Sequence, residues 1–361
     1  MDFPFPQTRA RMEAALADRQ GSALALAVAR GNAEPHALFL GKTAQADSGG
    51  ISAPIGADSL FDLASLTKAL GFLPLLIEAM REGPLQLSDP VAKFFPGFAG
   101  GDVRVEHLLR HNSGYVAHEE FYRRPSAQAR GYLERAELVD WIVQHPRTPL
   151  AEAKTVYSDL GILLAGFLVE ELYGKTIAEL FELRTKGPLG LRETGFRVLP
   201  HAPKAARAFH FKAAPERFVA TAQCGFHGRL LQGEVDDNNC WALGGYSAHA
   251  GLFSTLAETV SLLRHSVQAA QRFHSEFFPN ASSKPPFTQG YMLYPGLRPI
   301  ATDEWKGAIG HTGFVGTSAW YHEPTDTYVV LLGNRVHPQR EDTRFVETRL
   351  EIHRILWSEL K

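Results

Sequence analysis

The sequence predicts a mixed α/β fold of the α+β kind: one antiparallel sheet drawn from both chain ends and flanked by helices, with an all-helical region inserted. Three observations predict it. Strand-like runs cluster at about 20–60 and 290–361. Segments with i, i+3, i+4 apolar spacing fill much of about 85–250. Between them, "FDLASLTKALGFLPLLIEAM" (61–80) is apolar all round after Lys68, as suits a helix in the middle of a domain.

The elements follow in order. "ALALAVARGN" (23–32) and "HALFLGKTA" (36–44) read as two short strands joined by a tight turn around Gly31–Pro35. A helix starts at Ser65. "AELVDWIVQH" (136–145), "SDLGILLAGFLVEELYG" (158–174) and "TIAELFELRTKG" (176–187) have helical spacing, with Gly174 and Gly187 as stops. The Gly-, His- and Asn-rich stretch at about 195–250 reads as irregular, and "LAETVSLLRHSVQAA" (256–270) as a helix. "KGAIGHTG" (306–313), "GTSAWYHE" (316–323) and "DTYVVLLGN" (326–334) form a meander turning at Pro324–Thr325. An amphipathic helix at about 341–359 closes the chain. Both ends supply strands to one sheet, and the helical region is attached to it.

Composition excludes several classes. Of the 361 residues 45% are hydrophobic and 21% charged, as in an ordinary globular protein. Lys+Arg 37 against Asp+Glu 39 gives a net charge of -2, so no basic stripe argues for nucleic acid. No run reaches a membrane span, and "MDFPFPQTRARMEAALADRQ" lacks the pattern of a secretory leader. A cytoplasmic location is expected, or periplasmic if a leader has been removed. Cys224 and Cys240 are expected to be free thiols. The 15 histidines form no H-E-x-x-H pattern and only one H-x-x-x-H pair, so no metal and no cofactor is expected. His107 and His111, four apart, are better read as capping and packing residues.

Lys68 needs a reason to head so buried a helix, because an unpaired buried charge is penalised by several kcal/mol (roughly,). Ser65 supplies one. At i and i+3 the two side chains share a helix face, so an amine depressed by burial could act as base for the hydroxyl. The spacing alone is weak, since S-x-x-K recurs as "SELK" (358–361). "VYSDLG" (156–161) adds Tyr157 and Asp159 at a loop-to-helix junction. "AIGHTGFVGTSAW" (308–320) places His311, Thr312 and Gly313 on a strand, where glycine often marks close approach.

Together "SLTK", "YSD" and "HTG", in that order, resemble the S-x-x-K, Y-x-N and K-T-G motifs of the serine β-lactamase/penicillin-binding-protein-like hydrolases. "VEHLLRHNSGY" (105–115), "LQGEVDDNNCWALGGYSAHAGLFST" (231–255) and "LLGNRVHP" (331–338) resemble further stretches, the last two those of an esterase or penicillin-binding-protein-4B-like branch. The resemblance spans about 20–360 and implies a β-lactamase/transpeptidase-like fold, with residues 1–361 as one such domain. It implies Ser65 as nucleophile, Lys68 as its base partner, and Tyr157 as a partner in proton transfer. It implies backbone N–H groups of Ser65 and Phe314 as the oxyanion hole, with Asp159, His311, Thr312 and Gly313 at the substrate; His249, in "SAHAG", reads either as a further residue at the cleft or as a structural histidine.

Two departures shape the expected activity. Asp159 replaces an asparagine and His311 a lysine, which weakens recognition of β-lactams and of D-Ala-D-Ala. The expected function is an esterase-like serine hydrolase of a small ester, amide or peptidoglycan-like peptide. The alternatives are a weak penicillin-binding D-alanyl-D-alanine carboxypeptidase or β-lactamase, and a penicillin-type sensor without turnover. His311 is expected to become a cleft cation at mildly acid pH. Asp236 stands where this branch places a histidine.

Overall fold

The computed structural model describes residues 3–278, 287–293, 305 and 307–361. Helix α1 (Pro6–Ala17) precedes strands β1 (Ala23–Arg30) and β2 (His36–Gly41). Helix α2 (Leu73–Glu82) follows a π-helical turn at Lys68–Phe72, and α3 (Asp159–Tyr173) and α4 (Leu256–Gln271) lie farther on. Strands β3 (Met292–Leu293), β4 (Ile309–Thr312), β5 (Ser318–His322) and β6 (Thr327–Gly333) precede the closing helix α5 (Arg344–Leu360). The main sheet runs β2-β1-β6-β5-β4-β3, so β1 pairs antiparallel with β6 from the other chain end. The sheet expected from both termini is present.

The sequence of β1, ALALAVAR, explains how both faces of that sheet are covered. Its side chains alternate between faces. Leu24, Leu26 and Val28 pack with Met12, Val329, Leu331, Ile352 and Leu356, under the two terminal helices. Ala23, Ala25, Ala27 and Ala29 face the opposite core with Val330, Leu332, Leu263 and Val267. Small side chains let α4 lie close to the strands. Burying one such leucine contributes roughly 1.5–3 kcal/mol.

Several boundaries differ from the sequence expectation. The helix expected from Ser65 starts at Leu66 and is π-helical over Lys68–Phe72, so Ser65 sits in the preceding turn. Helix α3 is capped by the Ser158 hydroxyl and stops at Gly174, which is left-handed with φ 59°. Gly187 is not a stop: the chain continues helically to Leu189 and turns at Gly190, φ 64°. The stretch from 195 to 250 contains strands Ala220–Cys224 and Arg229–Gln232 and a short helix, Asn238–Ala242. Pro6–Ala17 is a helix that the apolar spacing of the N-terminus does not predict. Lys306 of the expected strand at 306–313 lies outside the described residues. Among the described residues, no helix is long and apolar enough to cross a membrane, and Cys224 and Cys240 are free and buried.

Candidate active site

Asp62 and Ala64 set the position of Ser65. Ala64 adopts φ 46°, a left-handed conformation that a residue with a Cβ takes up only at a penalty of about 1–2 kcal/mol. The buried Asp62 carboxylate steadies the turn by accepting the Ala64 N–H at 2.8 Å and the Asp236 N–H at 2.9 Å. Burial raises the Asp62 carboxyl to about 7 against these two hydrogen bonds, and the nearby Asp236 and Asp237 charges add to the rise. The turn presents Ser65 to a cavity of about 310 Å³. The cavity is also lined by Ala64, Ala117, His118, Tyr157, Asp159, Asp236, Asp237, Ala250, Phe314 and Arg340.

Lys68 Nζ lies 2.8 Å from Ser65 Oγ, 3.1 Å from the His249 carbonyl oxygen and 2.8 Å from Asp159 Oδ1. The lysine side chain is only 2% exposed, so its charge state follows from its neighbours. Burial pulls the ammonium down, but the Asp159 carboxylate and Tyr157 outweigh it, and Lys68 is held above its ordinary value. This corrects the expectation that burial alone depresses the amine. The asparagine-to-aspartate departure replaces a neutral amide with a counter-ion. For Asp159 burial opposes ionisation, but Lys68 and His118 hold the carboxyl below the usual range.

Tyr157 is boxed by rings. Its centroid is 4.7 Å from His111, 5.8 Å from Phe287 and 5.8 Å from His311. Lys68 Nζ sits 5.1 Å from the Tyr157 centroid. The Tyr157 hydroxyl is buried without an aligned hydrogen-bond partner, and burial raises its pKa against the pull of Lys68.

The third motif differs from what the sequence suggested. His311 is 1% exposed, and its Nδ1 donates to the Thr312 carbonyl at 2.7 Å. Burial, then Lys68, pushes its pKa down to about 3. His311 is therefore neutral at mildly acid pH and lies behind Tyr157 rather than in the cavity lining, which corrects the expected cleft cation. Thr312 Oγ1 meets the Met292 sulfur at 3.6 Å. A Cβ on Gly313 would stand 1.9 Å from Thr317 Oγ1 and 3.0 Å from the Leu63 carbonyl oxygen, so close packing against the Thr317 side chain and the Leu63 backbone rather than ligand room accounts for this glycine. Phe314 is 51% exposed at the cavity. Among the described residues, neither the Ser65 nor the Phe314 backbone N–H is committed to another backbone group.

His249 does not line the cavity with its ring. The imidazole is buried, with Nδ1 2.7 Å from Ser247 Oγ and Nε2 3.0 Å from Asp237 Oδ1, and its contribution here is the carbonyl oxygen on Lys68. His107 accepts the Arg104 N–H at 3.0 Å as a helix cap, and His111 accepts that of Ser158 at 3.0 Å. Among the described residues, no group of three or more His, Cys, Asp or Glu side chains is placed to hold a metal ion.

Sequence reasoning missed four contributors: Asp62, His118, Asp237 and Arg340. Asp62 lies three residues before Ser65 and could have been suspected from that closeness. His118 follows the family-like "HNSGY". Arg340 carries no motif, yet its guanidinium pairs with Asp236 and lies 4.7 Å from the Phe314 ring centroid. That pairing answers what Asp236 does: it anchors Arg340 at the cavity wall.

Comparison with known proteins agrees in scale with this architecture. Residues 8–351 match the family model described as Beta-lactamase. A putative D-alanyl-D-alanine carboxypeptidase of Escherichia coli K12 is 26% identical over 340 residues, covering 83% of this chain and 75% of that protein. An N-acetylmuramyl-L-alanine amidase of Bacillus subtilis is 28% identical over 316 residues, covering 77% and 68%. The crystal structure of D-amino acid amidase from Ochrobactrum anthropi SV3 superposes with TM-score 0.69 at 18% identity, covering 98% of each chain.

Proposed function

The chain belongs to the beta-lactamase family, and from that premise we propose that it is a serine hydrolase that cleaves an ester or amide through an acyl-enzyme on Ser65. The observation that carries this is the 2.8 Å approach of Lys68 Nζ to Ser65 Oγ in a cavity that can hold a small acyl group. A single domain over residues 1–361 belongs to the same proposal, and the family match over 8–351 supports it.

Lys68 acts as a relay. As Ser65 Oγ attacks the substrate carbonyl carbon, its proton passes to Nζ, and Nζ passes one of its own to Asp159 Oδ1, 2.8 Å away. Excluding water from the cavity strengthens each of these contacts. The oxyanion forms toward the backbone N–H groups of Ser65 and Phe314, where two donors contribute several kcal/mol (roughly,). The proton returns by the same path, with Tyr157 beside it, to the leaving group as the C–O or C–N bond breaks. Asp159 is then ionised again.

The substrate range follows from the strand wall. A neutral, buried His311 offers no permanent cation for a β-lactam carboxylate, so turnover of short acyl esters is expected to exceed that of cephalosporins. The relatives named as carboxypeptidase and amidase favour a second reading, cleavage of a small peptide amide at the same Ser65. The experiment is covalent labelling with a fluorophosphonate and with a fluorescent penicillin, followed by peptide mapping. Ser65→Ala should abolish both labels and lower kcat at least ~10³-fold. Label persisting on another residue ends the assignment.

A further inference from the structure

An acyl-enzyme must also be hydrolysed, and the Ser65 wall lacks an obvious base for the water. Asp159 holds Lys68 protonated. The Tyr157 phenol is kept neutral by burial. His111 and His311 are buried and fix their Nδ1 atoms on the Ser158 N–H and the Thr312 carbonyl. His249 is turned away onto Ser247 and Asp237. His118 is different: it lines the cavity with Ser65, and its side chain is 43% exposed.

His118 Nδ1 lies 3.3 Å from Asp159 Oδ2. An ionised carboxylate can only accept, so Nδ1 carries the hydrogen and the neutral ring keeps its lone pair on Nε2. A carboxylate that orders one nitrogen of an imidazole lining a reaction cavity, and leaves the other as the basic one, is the arrangement by which the ring serves as a general base. Here one aspartate serves both partners, Oδ1 toward Lys68 and Oδ2 toward His118. This gives the replacement of asparagine by Asp159 a second consequence.

We propose that His118 is the general base for deacylation, a further catalytic residue for the reaction assigned above and dependent on that reading. A water in the cavity gives a proton to His118 Nε2 while its oxygen bonds to the acyl carbon. The ester C–O bond to Ser65 breaks, and Lys68 donates a proton to the departing Oγ. The imidazolium proton passes through solvent to restore Lys68. The products are the free acid and Ser65–OH, and nothing is oxidised or reduced. The hydrogen bond to Asp159, with the Asp237 and Glu120 charges, raises the His118 pKa against burial, which makes the neutral ring a stronger base, and the Lys68 ammonium lies behind Asp159.

The test is rapid-mixing kinetics with p-nitrophenyl butyrate on wild type, His118→Gln and His118→Ala, with intact-protein mass spectrometry of quenched samples. In both variants the nitrophenolate burst should keep its wild-type rate while steady-state kcat falls ~100-fold. KM should fall with kcat, and one butyryl mass should accumulate on Ser65. Added imidazole should restore turnover of His118→Ala by at least ~10-fold, because the free base enters the vacated space. A burst that slows in step with kcat overturns the proposal and makes His118 only a positioning residue for Asp159. Unchanged kcat without accumulation overturns it as well. Absence of a Ser65 adduct from every protein, wild type included, overturns instead the acyl-enzyme reading beneath it.

Discussion

The two walls of the cavity use charge in opposite ways. On the Ser65 wall, Lys68, Asp159 and His118 form a chain of contacts of 2.8 and 3.3 Å, with the ammonium almost fully buried. On the strand side, behind the cavity lining, His311 is equally buried but neutral, enclosed with Tyr157 and close to His111 across that ring. Both walls carry a departure from the family motifs, yet one adds a charge and the other removes one. The two changes are mutually consistent. A lysine at 311 would add a second buried cation near Lys68, and Asp159 already satisfies the one present. Charge on the strand side is supplied instead by Arg340, anchored on Asp236 over the Phe314 ring.

The comparison breaks most sharply at Asp159. Asp159→Ala leaves the Lys68 ammonium buried without its carboxylate, and removing one partner of a buried pair destabilises by ~3–5 kcal/mol. A fall in kcat of ~10³-fold should accompany the drop in Tm, since both the proton relay and the His118 contact are lost. Asp159→Asn should behave differently. Without the counter-ion, burial depresses the amine, and the acylation rate should rise with pH as Lys68 deprotonates. Wild-type acylation should lack that limb, because Lys68 stays protonated over the accessible range. Burst rates measured from pH 6 to 9 (roughly,) decide this, and identical profiles would show that Asp159 does not set the lysine's charge. Stability follows the same pair. The folded Asp159 carboxyl is held low, so its contribution is complete above the ordinary carboxylate value of about 3.9 and fades as pH falls below it.

His311 gives the next largest effect, with a pH dependence at higher pH. Its folded value is pushed down to about 3, whereas the unfolded ring titrates near 6.5. Between those values the unfolded chain binds the extra proton, so this contribution is complete above about 6.5 and is lost as pH falls toward 3. His311→Gln should lose fewer degrees of Tm between pH 7 and pH 4 than the wild type, by scanning calorimetry. His311→Lys should lower Tm at neutral pH, by the equivalent of ~3 kcal/mol, without gaining cephalosporin turnover. A stable His311→Lys with new β-lactamase activity would show that the strand wall accepts charge after all.

Arg340 should give the smallest effect. Arg340→Gln removes the cation from the cavity wall and leaves Asp236 with a buried carboxyl that burial already raises. KM for an anionic acyl ester should rise ~5-fold, about 1 kcal/mol, with a neutral ester changed less than ~2-fold. Equal changes for both esters would place Arg340 outside the acyl site.

Much of this protein is determined along the chain itself. The alternation in ALALAVAR, the run of apolar residues after Lys68 and the meander before Arg344 are local patterns, and each formed the expected kind of element. The pairing of Ser65 with Lys68 is also local, because the turn at Ser65 and the start of the helix bring side chains three residues apart together. What the sequence could not settle is the charge state of these groups. That depends on contacts between distant segments: Asp159 reaching Lys68, Lys68 meeting the His249 carbonyl, and Arg340 meeting Asp236. In water the same groups would titrate near their ordinary values. Only the fold removes the solvent and sets which charge stands beside which, and in a medium of low dielectric a neighbour at 2.8 Å outweighs burial itself. Spacing could therefore point to Ser65 and Lys68, while tertiary structure alone decided that the lysine is charged, that His311 is not, and that His118 belongs in the site.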